Sequence, residues 1–347
     1  MKALMKTGWR NCYLRPESNH LFKLRRTFLN NGVKWSKGVK SSATEVEGST
    51  SLHVLTDDQK HQYETDGFTI VQDIFSKDHI DQMRKVLDEY VEQSRSVERT
   101  NNLFVLDALH TPDEPVLLRL RCISNHSKLF HDTICHPKLV EIASELTGPS
   151  IRYINQEKVN MKPPQSESSV VTWHQDWAFF PHTNDSLVTV CIAIDDSTRK
   201  NGCLQVVPGS HKGPLYSHFK DGAFVSAITD PAFDPSTAVH VEVAAGGASF
   251  HHVLTVHGSA PNLSRHSRRM LCFNYSSTDA WPLLGVAGHE FTSHGPVDWE
   301  RYCSTVVKGK ASVFPRMKAL PVSIPIPLDS GFDIYQHAKP SVVNQPQ

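Results

Sequence analysis

The chain has 347 residues, of which 39% are hydrophobic and 21% charged, with Lys plus Arg equal to Asp plus Glu at 36 each. That profile belongs to a globular protein with room for a sizeable core, and its balanced charge gives no general pull toward nucleic acid or an anionic membrane. No apolar run approaches the roughly 20 residues of a membrane-spanning helix.

The first forty residues carry Lys2, Lys6, Arg10, Arg15, Lys23, Arg25, Arg26, Lys34, Lys37 and Lys40 against the single acid Glu17. Basic, acid-poor and interspersed with apolar residues, they have the composition of an organelle transit peptide. A mitochondrial address is the expectation; a disordered basic arm on a cytoplasmic protein is the alternative. The chain ends in Asn-Gln-Pro-Gln, unlike a peroxisomal Ser-Lys-Leu tail. Residues 41–51, rich in Ser, Thr and Glu, read as a linker. The expected organisation is therefore a basic extension over 1–51, a main folded domain over 52–290 and a Pro-rich extension over 291–347.

Thr56 and Gln59 have the spacing of a capping box at a helix start. Residues 67–71 read as a strand. Ile80, Met83, Leu87, Tyr90 and Val91 fall at helical spacing and predict a core-facing helix over 77–94. A helix pair is expected over 127–146, with Pro137 starting its second member and Gly148 closing it. Beyond Gly148 short runs of Val, Ile, Tyr and Phe alternate with turn residues, with strands expected at 151–161, 187–195, 204–207, 239–243, 248–256 and 268–275. Helices followed by many short strands predict an α+β fold: a sandwich or barrel with helices packed outside.

Twenty histidines make a metal site worth seeking. The cysteines (Cys12, Cys122, Cys135, Cys191, Cys203, Cys272 and Cys303) are scattered, with no C-x-x-C pair, and read as buried thiols in a reducing compartment. In the string Trp173-His174-Gln175-Asp176-Trp177, an extended chain points His174 and Asp176 to the same side. His257 follows an apolar run. Two imidazoles and one carboxylate can occupy one face of a metal and leave the other open, the facial triad of iron(II) oxygenases. Eleven residues later Arg268 offers a permanently charged, bidentate partner for the distal carboxylate of 2-oxoglutarate, with Arg269 on the opposite strand face as second choice. Gln156, Lys158, Asn160 and Lys162 alternate, so period two puts all four on one face. Lys158 and Asn160 are candidate 2-oxoglutarate contacts, and Gln156 a candidate substrate contact. A metal-binding, cupin-like protein without oxygenase turnover is the alternative, and it needs no Arg268. A zinc hydrolase is the third reading, but the chain has no His-Glu-x-x-His helix.

These strings together resemble the phytanoyl-CoA hydroxylase family of iron(II)- and 2-oxoglutarate-dependent dioxygenases. The matching pieces are His174-Gln175-Asp176, Asn201-Gly202-Cys203-Leu204, Val207-Pro208-Gly209-Ser210-His211-Lys212-Gly213, His257-Gly258-Ser259, Asn262 and Arg268. The resemblance implies a double-stranded β-helix, a jelly-roll or cupin-like barrel. It implies His174, Asp176 and His257 as iron ligands, Arg268 on 2-oxoglutarate, and Asn160 and Ser259 as further co-substrate contacts. It also implies molecular oxygen as oxidant, ascorbate as a candidate reductant, and hydroxylation of a small organic or acyl substrate with release of succinate and carbon dioxide. Asp176 is not what a halogenase carries, since there a small residue makes room for halide. His211 is read as part of a structural loop, and His251 and His252 as packing residues. The Trp173 and Trp177 flanks, and Asp279-Ala280-Trp281-Pro282, point away from phytanoyl-CoA itself as substrate. The expected partner is a small molecule.

Overall fold

The computed structural model describes residues 54–284 and 299–325. The transit-peptide and linker readings, and the rest of the Pro-rich extension, lie outside the described residues. Along the chain the helices are α1 (Asp57–Asp66), α2 (Lys77–Ser94), α3 (Lys128–Ile134), α4 (Pro137–Thr147) and α5 (Trp299–Ser304). The strands up to the metal-ligand string are β1 (Phe68–Val71), β2 (Phe104–Leu106), β3 (Leu117–Arg121), β4 (Ile151–Lys162) and β5 (Val171–His174). After it come β6 (Leu187–Ala193), β7 (Leu204–Val206), β8 (Phe219–Lys220), β9 (Ala223–Phe224) and β10 (Val239–Val241). The last are β11 (Ala248–His252), β12 (His257–Ser259), β13 (Arg268–Ser277) and β14 (Val306–Lys308).

Local chemistry explains the helices. Thr56 accepts from the Gln59 backbone while the Gln59 side chain accepts from the Thr56 backbone, so both ends of the predicted capping box are made. Ser76 caps α2, whose Ile80, Met83 and Leu87 are buried on one stripe. Pro137 sits in the first turn of α4, where its missing N–H costs nothing, and Gly148 follows the last turn.

The strands form an eight-stranded antiparallel sheet, in the order β1-β11-β6-β13-β4-β3-β2 with β14 beside β4, and a four-stranded sheet in the order β10-β7-β12-β5. Period two sorts the large sheet into two faces. Val188, Val190 and Ile192 of β6, Phe250 of β11, and Leu271, Phe273 and Tyr275 of β13 join the helix residues Met83, Leu87, Phe130 and Ile142 in the main core. The alternate residues turn toward the small sheet. There Phe68 and Ala193 pack on Leu204, Val206 and Val241, closing a second apolar layer between the sheets. This is the expected jelly-roll arrangement, with helices covering one face of the large sheet.

Two details differ from the sequence reading. The expected strand 248–256 breaks after His252, where Thr255 N donates to His252 O at 2.8 Å and the Thr255 hydroxyl donates to Gly67 O. The chain crosses to the small sheet at this turn, so His257 begins a new strand instead of ending the old one. Strands β2 and β3 went unread because β3 alternates Arg with Leu, which resembles a solvated segment until its partner β4 is in place. They precede α3 and α4, so helices and strands are interleaved in this half of the chain.

Among the described residues no helix is long and apolar enough to cross a membrane. The segment 299–325 packs against the jelly roll. Tyr302 is fully buried and stacks on Trp281, Arg316 pairs with Asp279, and Trp177 Nε1 donates to Pro321 O at 2.9 Å.

Candidate active site

His174 ends β5, Gln175 is extended (φ −119°, ψ 129°), and Asp176 opens a short 3-10 turn. The extended residue between them points both side chains the same way. Directly across from His174, in register, stands His257 of β12. Gly258 lets β12 lie close against β5: a Cβ would stand 3.0 Å from Val171 O and 3.2 Å from the Trp173 ring, so these neighbours would have to give by a few tenths of an ångström.

His174 Nε2 lies 3.8 Å and His257 Nε2 3.9 Å from Asp176 Oδ1, and donor atoms of all three lie within 4.8 Å of one another. Each histidine donates its other nitrogen to a backbone carbonyl: Nδ1 of His174 to Thr172 O at 2.8 Å, Nδ1 of His257 to Thr255 O at 2.9 Å. A carbonyl can only accept, so the proton sits on Nδ1 and the Nε2 lone pair faces Asp176. Burial, then the neighbouring His257, pushes His174 well below the usual histidine range; burial, then His251, pushes His257 to about 4. Burial alone would raise Asp176, but His257, His251 and Lys158 hold it well below the usual carboxylate range. At neutral pH the cluster therefore presents two neutral imidazoles and an anionic carboxylate, the protonation states a divalent metal needs. The residues fit a single metal ion.

The cluster opens into a small cavity, about 50 Å³, between the two sheets. Lys158 and Asn160 of β4, Ser259 of β12 and Arg268 of β13 all line it. Arg268 is 3% exposed and anchored by Nη2 donating to Gly202 O at 2.9 Å. Gly202 adopts φ 74°, and a Cβ there would sit 2.3 Å from Ala260 O, so only glycine can present that carbonyl. Arg269 turns to the helix face and pairs with Asp195 and Asp88. Gln156 lines an adjoining cavity of about 150 Å³, which also touches Lys158, His174 and Asp176. Lys162 shares the face of Lys158 and Asn160, but its ammonium is fully buried and donates to Ser169 O and Ala260 O at 2.5 Å each. Burial, then Arg268, lowers its pKa well below the ordinary value. His211 stands apart from the cavity, half-buried against Glu64 O.

The packing role expected of His251 needs correction. It is 1% exposed, it lines the cavity, and its Nε2 stands 3.4 Å from Asp176 Oδ2. His252, one residue on, points away toward Asp185. Strand alternation was the available signal, since β11 pairs His251 with Thr189 and places them on one face. Thr189 was missed as well. Its hydroxyl donates to Asp176 Oδ2 at 2.5 Å and accepts from Asn274 Nδ2 at 2.5 Å. These contacts hold Oδ2, the carboxylate oxygen other than the one measured against His174 and His257 Nε2. Thr189→Val keeps the shape but deletes the hydroxyl. The expected result is a tenfold to hundredfold weaker iron(II) affinity, the usual effect of losing a partner behind a metal ligand. Equilibrium dialysis under argon would measure it, and unchanged affinity would remove Thr189 from this role.

The family model for phytanoyl-CoA dioxygenase (PhyH) matches residues 63–270. The chain belongs to the phytanoyl-CoA dioxygenase family. A probable alpha-ketoglutarate-dependent hypophosphite dioxygenase of Stutzerimonas stutzeri is 33% identical over 277 residues, covering 78% of this chain and 92% of the relative. The peroxisomal phytanoyl-CoA dioxygenase of Rattus norvegicus is 31% identical over 292 residues, covering 74% and 84%. Among solved structures, the non-heme alpha-ketoglutarate-dependent carbocyclase SnoK from nogalamycin biosynthesis superposes with a TM-score of 0.55 at 22% identity, covering 75% of this chain and 96% of that one; this likeness concerns the fold. As a phytanoyl-CoA dioxygenase family member, the chain is an iron- and 2-oxoglutarate-dependent dioxygenase.

Proposed function

We propose that His174, Asp176 and His257 hold the iron, that Arg268 binds the distal carboxylate of 2-oxoglutarate, and that the substrate enters past Gln156. The observation that carries this reading is the convergence of three metal donors and a buried arginine on one cavity between the sheets. When bound, iron supplies the oxygen chemistry: substrate, 2-oxoglutarate and oxygen become hydroxylated substrate, succinate and carbon dioxide, one oxygen atom going to each organic product.

The protein's part is orientation and electrostatics. Nδ1–carbonyl hydrogen bonds keep the two imidazoles in one tautomer. The Thr189 hydroxyl donates to the Asp176 carboxylate, and His251 stands beside it. Arg268 offers its fork in a water-poor setting, where a charge-assisted pair is strong. Lys158, Asn160 and Ser259 line the space between Arg268 and the donors and supply further polar contacts to the co-substrate. The substrate is a small organic or acyl molecule.

Succinate formation tests the assignment, using anaerobically purified full-length protein given iron(II), 2-oxoglutarate and then oxygen. Turnover lost in the His174→Ala, Asp176→Ala double variant supports it; turnover equal in wild type and variant overturns it.

A mitochondrial address is our further reading, supported by the ten basic residues named above against Glu17 within 1–40. Residues 1–51 fused to a fluorescent protein should collect in mitochondria; a diffuse cytoplasmic signal would reject that address.

A further inference from the structure

One wall of the metal cavity is lined by sulfur. Cys191 of β6 and Cys272 of β13 both line it; both are buried, and with Met270 they form a small cluster apart from the main core. They sit on a ladder of facing residues. Thr189 stands opposite Asn274, Cys191 opposite Cys272, and Ala193 opposite Met270. The first of these rungs carries the hydroxyl that donates to Asp176. On the other side of β13, Cys272 stands opposite Lys158 of β4, and its Sγ accepts from Asn160 Nδ2 at 3.6 Å. The thiol pair therefore lies between the group behind the metal donors and two proposed 2-oxoglutarate contacts.

Register gives this pair the backbone geometry of a disulfide, while both thiols are free. Residues directly opposite on antiparallel strands have Cα atoms about 4.5 or 5.5 Å apart and side chains on one face. A disulfide needs about 4.4–6.8 Å between Cα atoms, so either kind of pair can close without shifting a strand. The two thiols share a hydrogen bond. That bond, and then the Lys158 ammonium, hold Cys272 below the ordinary thiol range, which makes Cys272 the better nucleophile of the two. The cavity of about 50 Å³ admits a molecule little larger than water and excludes a bulky oxidant. In a reducing compartment such a disulfide is transient, the condition for a switch.

We propose that Cys191 and Cys272 are a redox-active dithiol, converted by hydrogen peroxide into a reversible disulfide that weakens 2-oxoglutarate binding. The Cys272 sulfur attacks one peroxide oxygen, the O–O bond breaks, and the leaving hydroxide takes the Cys272 proton to become water, giving a sulfenic acid. The Cys191 sulfur then attacks the Cys272 sulfur, the S–O bond breaks, and the hydroxyl leaves as water with the Cys191 proton. Two thiols and one peroxide thus give one disulfide and two waters; the sulfurs lose two electrons and the peroxide gains them. An S–S bond of about 2 Å draws Cys272 Sγ toward β6 and away from the Asn160 amide. Asn160 loses the acceptor that orients it, and with it a contact to the co-substrate. The effect on 2-oxoglutarate rests on the proposed oxygenase site; the disulfide itself does not.

Full-length protein, reduced under argon and then treated with equimolar hydrogen peroxide, provides the test. Remaining thiols are blocked in denaturant and linked peptides are mapped by mass spectrometry. A link between Cys191 and Cys272 that disappears with dithiothreitol is the expected result. Oxidation only at other cysteines, or to sulfinic acid at these two, overturns the proposal. This map needs no variant, so folding does not limit it. Calorimetric titration of 2-oxoglutarate into the manganese(II)-loaded protein, before and after oxidation, reads the consequence. Affinity should fall by about twofold to tenfold, the range for losing one hydrogen bond, and recover after reduction. The Cys191→Ala, Cys272→Ala double variant should show no change of affinity with peroxide. An unchanged wild-type affinity once the link is mapped, or an equal fall in the double variant, rejects the switch. If the reduced protein does not bind 2-oxoglutarate at all, the oxygenase site falls, and the peptide map alone decides the dithiol.

Discussion

Asp176→Ala lowers succinate formation by about a thousandfold or more, and Asp176→Asn does nearly the same. Asp176 is the single carboxylate among the three donors and is 4% exposed. In the proposed iron site it supplies the anionic ligand, and a bound metal contributes several kcal/mol of charge stabilisation, each 1.36 kcal/mol being about a factor of ten in rate. Asparagine is the sharper variant, because it keeps the size of the side chain and an acceptor for the Thr189 hydroxyl while removing the charge. Without that charge, His174, His257, His251 and Lys158 face one another with no anion to offset a bound cation. Bound iron measured after gel filtration should fall in parallel with activity. The main core does not include Asp176, so cooperative thermal unfolding should persist. A variant that unfolds cooperatively yet retains a tenth of wild-type turnover would show that Asp176 is not a ligand.

Arg268→Gln raises the KM for 2-oxoglutarate by between about thirtyfold and several thousandfold, the span expected when one partner of a buried charge pair is truncated. The change in kcat is smaller, because the distal carboxylate is held alike before and during the reaction and its contact is mainly uniform binding. Arg268→Lys does not restore affinity. A lysine replaces a planar fork with a point charge and would set a second ammonium near that of Lys162, which Arg268 already disfavours. Arg269→Gln is the informative comparison. Arg269 lies one residue away on the helix face, bound to Asp195 and Asp88, so its loss should lower the melting temperature and leave the 2-oxoglutarate KM unchanged. Steady-state kinetics with 2-oxoglutarate varied would decide between the two arginines; a KM effect at Arg269 and none at Arg268 would reverse the assignment.

Much of this site was legible in the chain because strand geometry has a short period. His174 and Asp176 are two apart, and Lys158 and Asn160 are two apart, so each pair shares a face wherever the strand goes. Arg268 and Arg269 are separated by the same rule. The caps at Thr56 and Pro137 and the stripe on α2 are equally local, and each formed as the spacing predicts. His251 shows the limit. Its alternation with His252 was visible, but which of two adjacent histidines faces inward depends on register with β6, a partner about sixty positions earlier in the chain. Thr189 sits in the uniformly buried strand Leu187–Ala193, where no alternation of polarity marks a face.

The sequence by itself pointed to the candidate donor set, the candidate arginine and the α+β plan, since these follow from residue identity and from periods of two and 3.6. Tertiary structure alone decided that His257 opens a strand of the small sheet opposite His174, and that Arg119 and Arg121 lie beside Lys158 and Asn160. It also decided that the Thr189 hydroxyl donates to Asp176 and that His251 stands beside it. Those are cross-strand pairings between residues far apart in the chain, set by which apolar face each strand buries against the helices, and no local pattern encodes them.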